Sequence, residues 1–309
     1  MTEEARIIGA PSDYGANRRG VDMGPSAVRY AGLQTELESA GVRCTDRGDV
    51  TAPPAETQDA DKRVPEEGRA KFVEEVEAVS NEVADEVETA IGDGATPLVV
   101  GGDHSVAIGS LRGAAANAEI GAVWFDAHAD LNAPSTSPSG NIHGMPLAAA
   151  LGHRDFAGVD WANAPGLREE NVVWVGLRSV DDQEAADVRD CAGTAFTMSD
   201  IDEHGIDEIT ERAMAIASDG VDGLHVSLDL DWLDPNEAPG VGTPVRGGVT
   251  YREAHRAMEI VAEHDRAHDS LRSMELVEVN PILDEHNETA TLATELGASA
   301  LGKRILGDE

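Results

Sequence analysis

Two periodicities alternate along the chain. Short apolar runs at residues 6–10, 96–100, 121–126, 171–176, 222–229 and 271–280 each read as a strand. Between them the apolar positions step by three or four. The clearest case is Phe72, Val76, Val79, Val83, Val87 and Ile91, separated by glutamates and stopped by Gly92 to Gly94. It predicts an amphipathic helix over 65–91 with the glutamates on its solvated face. A helix from Pro25 turns Ala27, Val28, Ala31 and Leu33 inward, and others are expected after Ser105 and over 207–217 and 288–301. Thr250 and Glu253 form a capping box that opens a helix running to about residue 263. Residues 11–24 read as a glycine-rich loop carrying Arg18 and Arg19, and 51–68, with Pro53, Pro54 and Pro65, as a polar surface loop. Apolar strands joined by helices predict an α/β fold, a mostly parallel sheet between two helical layers in a three-layer α/β/α arrangement. No repeat or shift of composition divides the chain, so one domain over 1–309 is expected.

Polar residues gather where such a sheet binds ligands, beyond the carboxyl ends of its strands. The run V-W-F-D-A-H-A-D-L-N at 123–132 places Asp126, His128 and Asp130 at every second residue. Alternate residues of an extended chain face one side, so the three heads share a volume. Asp229 and Asp231 repeat that spacing, Asp103 and His104 follow the strand at 96–100, and Glu278 lies near the end of the last strand. The candidate metal ligands are therefore His104, Asp126, His128, Asp130, Asp229 and Asp231. One ion rarely needs so many donors, whereas two ions sharing carboxylates at a spacing of about 3.5–4 Å do. Carboxylates with a minority of imidazoles and no thiolate suit Mn(II), with Zn(II), Fe(II) and Co(II) also admissible.

Charge narrows the partners. With 59 acidic and 23 basic residues the net charge is −36, which repels nucleic acid and anionic membranes. The acids are spread along helices rather than massed in a tail, so the imbalance reads as adaptation to a high-salt cytoplasm. There the Debye length falls to about 3 Å at 1 M salt. The absence of a secretory signal pattern and of any run of 18 apolar residues fits a cytoplasmic location. Cys44 and Cys191 have neither metal nor redox spacing.

Five motifs in register resemble the ureohydrolase family: G-G-D-H-S at 101–105, D-A-H-A-D at 126–130, S-G-N-I-H-G-M-P at 139–146, S-L-D-L-D-W-L-D-P at 227–235 and V-E-V-N-P at 277–281. Within that family, R-R-G-V-D-M-G-P-S-A-V-R-Y at 18–30 and A-P-G-V-G-T-P-V at 238–245 are most similar to bacterial-type arginases. The resemblance implies an arginase-like fold holding two Mn(II), one bound by His104 and Asp130, the other by His128 and Asp231, with Asp126 and Asp229 bridging. It implies a metal-bridging hydroxide as nucleophile, Glu278 pairing with the substrate guanidinium, and Asp130 or His143 as the proton carrier for the leaving amine. It also implies ornithine and urea as products and a homo-oligomer, trimer or hexamer. Trp232 stands where the family often has glycine, which bears on the nearby pocket wall.

Arginine and agmatine differ only in the α-carboxylate, so the far end of the pocket decides between them. Asn132, Ser139 and Asn141 lie on a polar loop after Asp130 and offer hydrogen bonds to a carboxylate. Asp181 and Glu184, three residues apart, resemble the arginase R-S-x-D-x-x-E pattern that binds the α-amino group, and Thr243 is assigned to the same pocket. Plainer readings compete: a D-D-x-E run in so acidic a chain is ordinarily solvated surface, and Ser139 and Asn141 suit a turn. His225 reads as a satisfied buried histidine, and His153, His204, His255, His264, His268 and His286 carry no assigned role. The expected function is an arginase acting on L-arginine. An agmatinase or another guanidino-acid ureohydrolase is the alternative. A non-catalytic metal-binding homologue is the third reading, against which the retained donors, His143 and Glu278 argue.

Overall fold

The computed structural model describes residues 2–16, 20–53 and 70–304. Arg18, Arg19, most of the expected loop at 51–68 and the start of the helix expected from 65 lie outside the described residues. Eight strands form one sheet: β1 (Glu4–Ala10), β2 (Arg43–Asp49), β3 (Thr96–Gly101), β4 (Ile120–Phe125), β5 (Leu167–Leu177), β6 (Thr194–Thr197), β7 (Gly223–Asp229) and β8 (Leu271–Val277). They lie in the order β2-β1-β3-β8-β7-β4-β5-β6, and every neighbouring pair is parallel. The helices are α1 (Gly24–Tyr30), α2 (Leu33–Ser39), α3 (Val73–Gly92), α4 (Ala107–Ala114), α5 (Pro146–Leu151), α6 (Asp182–Asp190), α7 (Met198–His204), α8 (Ile206–Ala217), α9 (Tyr251–His268) and α10 (Glu288–Ala300).

Strand alternation sorts the core into two layers. Leu98, Val100, Val123, Phe125, Val226 and Leu228 pack with residues of α1, α2, α8, α9 and α10, while Val99, Ala122, Trp124, Val172 and Trp174 pack with α3, α4 and α5. In β7 only one face is apolar; His225, Ser227 and Asp229 occupy the other, and all three are buried. A polar row inside a sheet is costly unless its members bond to one another or to a ligand.

Several boundaries differ from the expected ones for local reasons. The edge strand β2, Arg-Cys-Thr-Asp-Arg-Gly-Asp, has no apolar alternation and is held by backbone pairing to β1. The helix expected from Pro25 splits into α1 and α2 at Gly32, whose φ is 96°. Within the described residues α3 begins at Val73, behind a left-handed Phe72 at its N-cap, and α9 continues past residue 263 to His268. β8 stops at Val277 because Glu278 turns into the left-handed region at φ 65°.

The chain passes from β3 to β4 without filling the sheet positions between them, which β8 and β7 later occupy. The carboxyl ends of β3, β8, β7 and β4 therefore stand side by side around a crevice at the switch in strand order. The neighbouring β5 ends at a tight approach. Gly176 has φ 101°, and a Cβ there would lie 2.2 Å from the Trp232 indole nitrogen. Trp232 itself is fully buried, with ring centroid 4.8 Å from that of Phe125, so its bulk is absorbed by the core rather than by a pocket wall. Gly176→Ala is expected to cost about 2–4 kcal/mol in chemical denaturation, from strain and overlap together. A cost below roughly 0.5 kcal/mol, the range of an ordinary surface change, would refute this packing.

Candidate metal centre and substrate cavity

His104 opens a short 3-10 turn after β3, where Asp103 accepts a hydrogen bond from the Ser105 N–H at 3.0 Å. Its Nδ1 lies 3.2 Å from Asp126 Oδ2, 2.9 Å from Asp130 Oδ2 and 3.1 Å from Asp229 Oδ2. His128 Nδ1 faces the second set, 3.4 Å from Asp126 Oδ1 and 3.0 Å from Asp231 Oδ2. Asp126 thus sends one oxygen to each imidazole. Two donor groups result, His104–Asp126–Asp130 and Asp126–His128–Asp231, with Asp126 common to both.

These residues fit a pair of divalent cations on their own chemistry. Among the described residues, His104 Nδ1 and Asp130 Oδ2 are buried and make no hydrogen bond although they face each other. Burial, the Asp126 charge and their neighbours push Asp130 up to about 6 and Asp229 well above the carboxylate range. Burial alone would lower the imidazole of His128, but Asp231 and Asp126 outweigh it and push it up to about 12. So much convergent negative charge calls for positive charge at its centre.

A further set of residues sets the orientation of His104. Its ring stacks on Trp124 with centroids 4.4 Å apart, and the Trp124 indole donates to Asp126 Oδ2 at 3.0 Å. Ser227 Oγ donates its single proton to Glu275 Oε1 at 2.7 Å, so toward His104 Nε2, 2.8 Å away, it can only accept. The His104 proton must then sit on Nε2, which leaves the Nδ1 lone pair aimed at the carboxylates. His225 is buried as expected, with Nδ1 at 2.8 Å from Ser273 Oγ and Nε2 at 3.4 Å from Glu275. Trp124, Ser227 and Glu275 have no assigned role in the sequence pattern. Their signal was the every-second-residue polarity of His225, Ser227 and Asp229, because Ser227 pairs across the sheet with both Trp124 and Glu275. Arg178 opens the R-S-x-D-x-x-E stretch that carries Asp181 and Glu184. Its guanidinium donates to the carbonyls of Asp231 at 2.6 Å and Val245 at 2.9 Å, lacing the metal loop to the segment after Thr243.

The donors open onto a cavity of about 230 Å³ lined by His104, His128, Asp130, Asp229 and Asp231 together with Asn132, Ser139, Asn141, His143, Asp181, Glu184, Thr243 and Glu278. Asp126 lies beneath it, fully buried. Glu278 Oε1 accepts from the His104 N–H at 3.0 Å and from His143 Nδ1 at 3.1 Å, while Oε2 is buried without a partner among the described residues. Burial would raise the Glu278 carboxyl, yet the His143 contact and His104 prevail and hold it below its ordinary value. It is a buried anion with one oxygen open to a cationic guest. Asp130, at φ 52°, and Glu278 both have left-handed backbones.

At the far end, Asp181 caps α6 with Glu184 in a capping box, and Glu184 is buried, so the pair is not the solvated surface that its acidic run suggests. Asp181 Oδ2 remains available to accept from Asn132 Nδ2 at 2.9 Å, and Asn132 Oδ1 accepts from Thr136 Oγ1 at 2.8 Å. Burial and the Asp130 charge push Glu184 up to about 7. Ser139 Oγ accepts the Asn141 N–H at 3.1 Å, a turn contact within the same loop. Thr243 Oγ1 donates to Asp231 Oδ2 at 2.9 Å, which ties it to the metal end as well.

The sequence profile of the arginase family matches residues 3–302. The arginase of Bacillus caldovelox is 46% identical over 304 residues, covering 97% of this chain and 98% of the relative. The crystal structure of the arginase from Bacillus cereus superposes with a TM-score of 0.88 at 46% identity, covering 98% of this chain and 99% of that one. That of the Entamoeba histolytica arginase in complex with L-ornithine gives 0.84 at 31% identity, over 98% and 100%. Since the family profile spans nearly the whole chain and relatives approach half identity at full coverage, this chain belongs to the arginase family.

Proposed function

We propose that the chain hydrolyses the guanidinium of L-arginine to L-ornithine and urea with two divalent cations, manganese by preference. The observation that carries this reading is Asp126 spanning two donor groups beside a cavity onto which Glu278 turns an unpaired oxygen. His104, Asp130 and Asp229 would hold one cation and His128 and Asp231 the other, with Asp126 and Asp229 between them. Two such cations would supply the Lewis acidity that makes water a nucleophile at neutral pH.

The chain's own residues do the rest. A guanidinium stays positive at every accessible pH, and Glu278, held ionised by His143 and the His104 N–H, orients it by pairing. His143 is partly exposed at the cavity mouth and carries its proton on Nδ1 toward Glu278, so it can exchange protons with solvent and deliver one to the leaving amine. Asp130 is the second proton carrier. Asn132, Ser139 and Asn141 face the α-carboxylate, and Asp181, Glu184 and Thr243 the α-amino end. The ornithine complex of the Entamoeba relative supports an amino-acid end to the substrate.

The test is urea release from L-arginine and from agmatine by the manganese-loaded protein in high salt. Faster release from agmatine would replace the arginine reading with an agmatinase. A loaded protein releasing urea from no guanidino compound would establish a binding homologue instead.

The same reading treats residues 1–309 as one cytoplasmic ureohydrolase domain assembling as a homo-oligomer. Among the described residues no helix is long and apolar enough to cross a membrane. The net charge of −36 supports a high-salt setting. Thermal unfolding should shift upward by roughly 10 °C or more between about 0.05 M and 2 M KCl as screening relieves the self-repulsion. A melting curve indifferent to KCl would remove that proposal.

A further inference from the structure

Lysine occurs at only three positions, and one of them, Lys71, reaches the loop beside the far end of the cavity. Its ammonium donates to Asn141 Oδ1 at 3.2 Å, and its backbone N–H donates to the Gly140 carbonyl at 2.9 Å. Asn141 is buried and lines the cavity. We propose that Lys71 is a specificity-determining positioning residue, which acts through Asn141 to favour substrates that carry an α-carboxylate.

The argument is one of donors and acceptors. An ammonium has three N–H donors and no acceptor, so the amide end that meets it must be Oδ1. That fixes the side-chain flip of Asn141 and leaves its two Nδ2 hydrogens for the cavity. Among the described residues no hydrogen bond engages Nδ2. Without the lysine, the Asn141 amide would be free to flip and present an acceptor, which a carboxylate rejects.

Charge works in the same direction. At the far end the cavity is walled by Asp181 and Glu184, which attract the α-ammonium and repel an incoming carboxylate. Lys71 sets a positive charge behind the amide that would meet that carboxylate. A decarboxylated guanidino compound gains nothing from it. Because the backbone N–H of Lys71 ties the loop to residue 140 by itself, replacing the side chain changes orientation and charge while leaving that tether in place.

The inference rests on the arginine reading, and the experiment separates the two. Lys71→Met and Lys71→Arg would be compared with the parent as manganese-loaded full-length proteins in high salt. The readouts are kcat and KM for L-arginine, the dissociation constant of L-ornithine, and the constant for agmatine as substrate or competitive inhibitor. For Lys71→Met, KM for arginine and the ornithine constant are expected to rise about tenfold, the scale of one hydrogen bond to a charged group. Its kcat and the agmatine constant should hold within about twofold, and Lys71→Arg should restore arginine binding to within a few-fold. An equal loss for arginine and agmatine would reduce Lys71 to loop packing and overturn the inference. So would an unchanged KM for arginine in a parent that prefers arginine. A parent that prefers agmatine would overturn both this inference and the arginine reading.

Discussion

Asp126→Asn is expected to lower arginine hydrolysis by about 10³-fold or more, the loss of several kcal/mol of transition-state stabilisation. The substitution keeps shape and removes one charge. Asp126 Oδ2 faces His104 and Oδ1 faces His128, so an amide in its place must turn an NH₂ group toward one of the two imidazole nitrogens. One donor group is then broken whichever way the amide turns. Elemental analysis of the dialysed protein should find about one manganese or fewer per subunit instead of two. The cation-free protein is expected to melt lower than the parent, since both Asp126 oxygens accept N–H donors, from Trp124 and from the His128 backbone, and the imidazoles favour its charge, but to unfold in one cooperative transition. That separates a lost site from a lost fold. Two retained ions with activity within tenfold of the parent would show that Asp126 does not bridge.

Glu278→Gln should act on the substrate and spare the metals. The side chain belongs to neither donor group, and glutamine can keep an acceptor toward the His104 N–H and His143. What it loses is the buried negative charge facing the cavity. Removing one partner of a desolvated charge pair costs several kcal/mol, so kcat/KM for arginine should fall about 10²–10³-fold with manganese stoichiometry unchanged. A loss below about fivefold would mean that the guanidinium is held elsewhere. A loss of bound metal would mean that Glu278 serves the cations.

The sheet and five of the six candidate donors were legible because both rest on periodicity, and His104 was legible from its place just after a strand end. Apolar runs of strand length alternate with helical stripes, and the every-second-residue spacing of Asp126, His128 and Asp130 and of Asp229 and Asp231 marks two strand ends. What escaped was held by contacts that local pattern does not encode. β2 is a polar edge strand defined by its partner's backbone, and β6, Thr-Ala-Phe-Thr, is an edge too short to show a period. Ser227 and Glu275 gain meaning only once β7 and β8 lie in register, 48 residues apart in sequence. The capping box of Asp181 and Glu184 could be read from their spacing, but their facing the cavity depends on where β5 ends. Lys71 reaches its loop across 70 residues of chain.

The left-handed backbones of Asp130 and Glu278 set a limit on how far this enzyme can be improved by stability alone. A non-glycine residue in that region costs roughly 1–2 kcal/mol, less for aspartate than for glutamate. The fold holds Glu278 there by binding its N–H to the Gly102 carbonyl at 3.0 Å. Glycine at 130 would relax the chain, whereas at 278 it would also leave the His104 N–H and His143 without their acceptor. Libraries selected only for heat resistance should therefore reach glycine at 130 before 278 and silence the enzyme as they do so. Activity has to be selected alongside stability for Asp130 to survive.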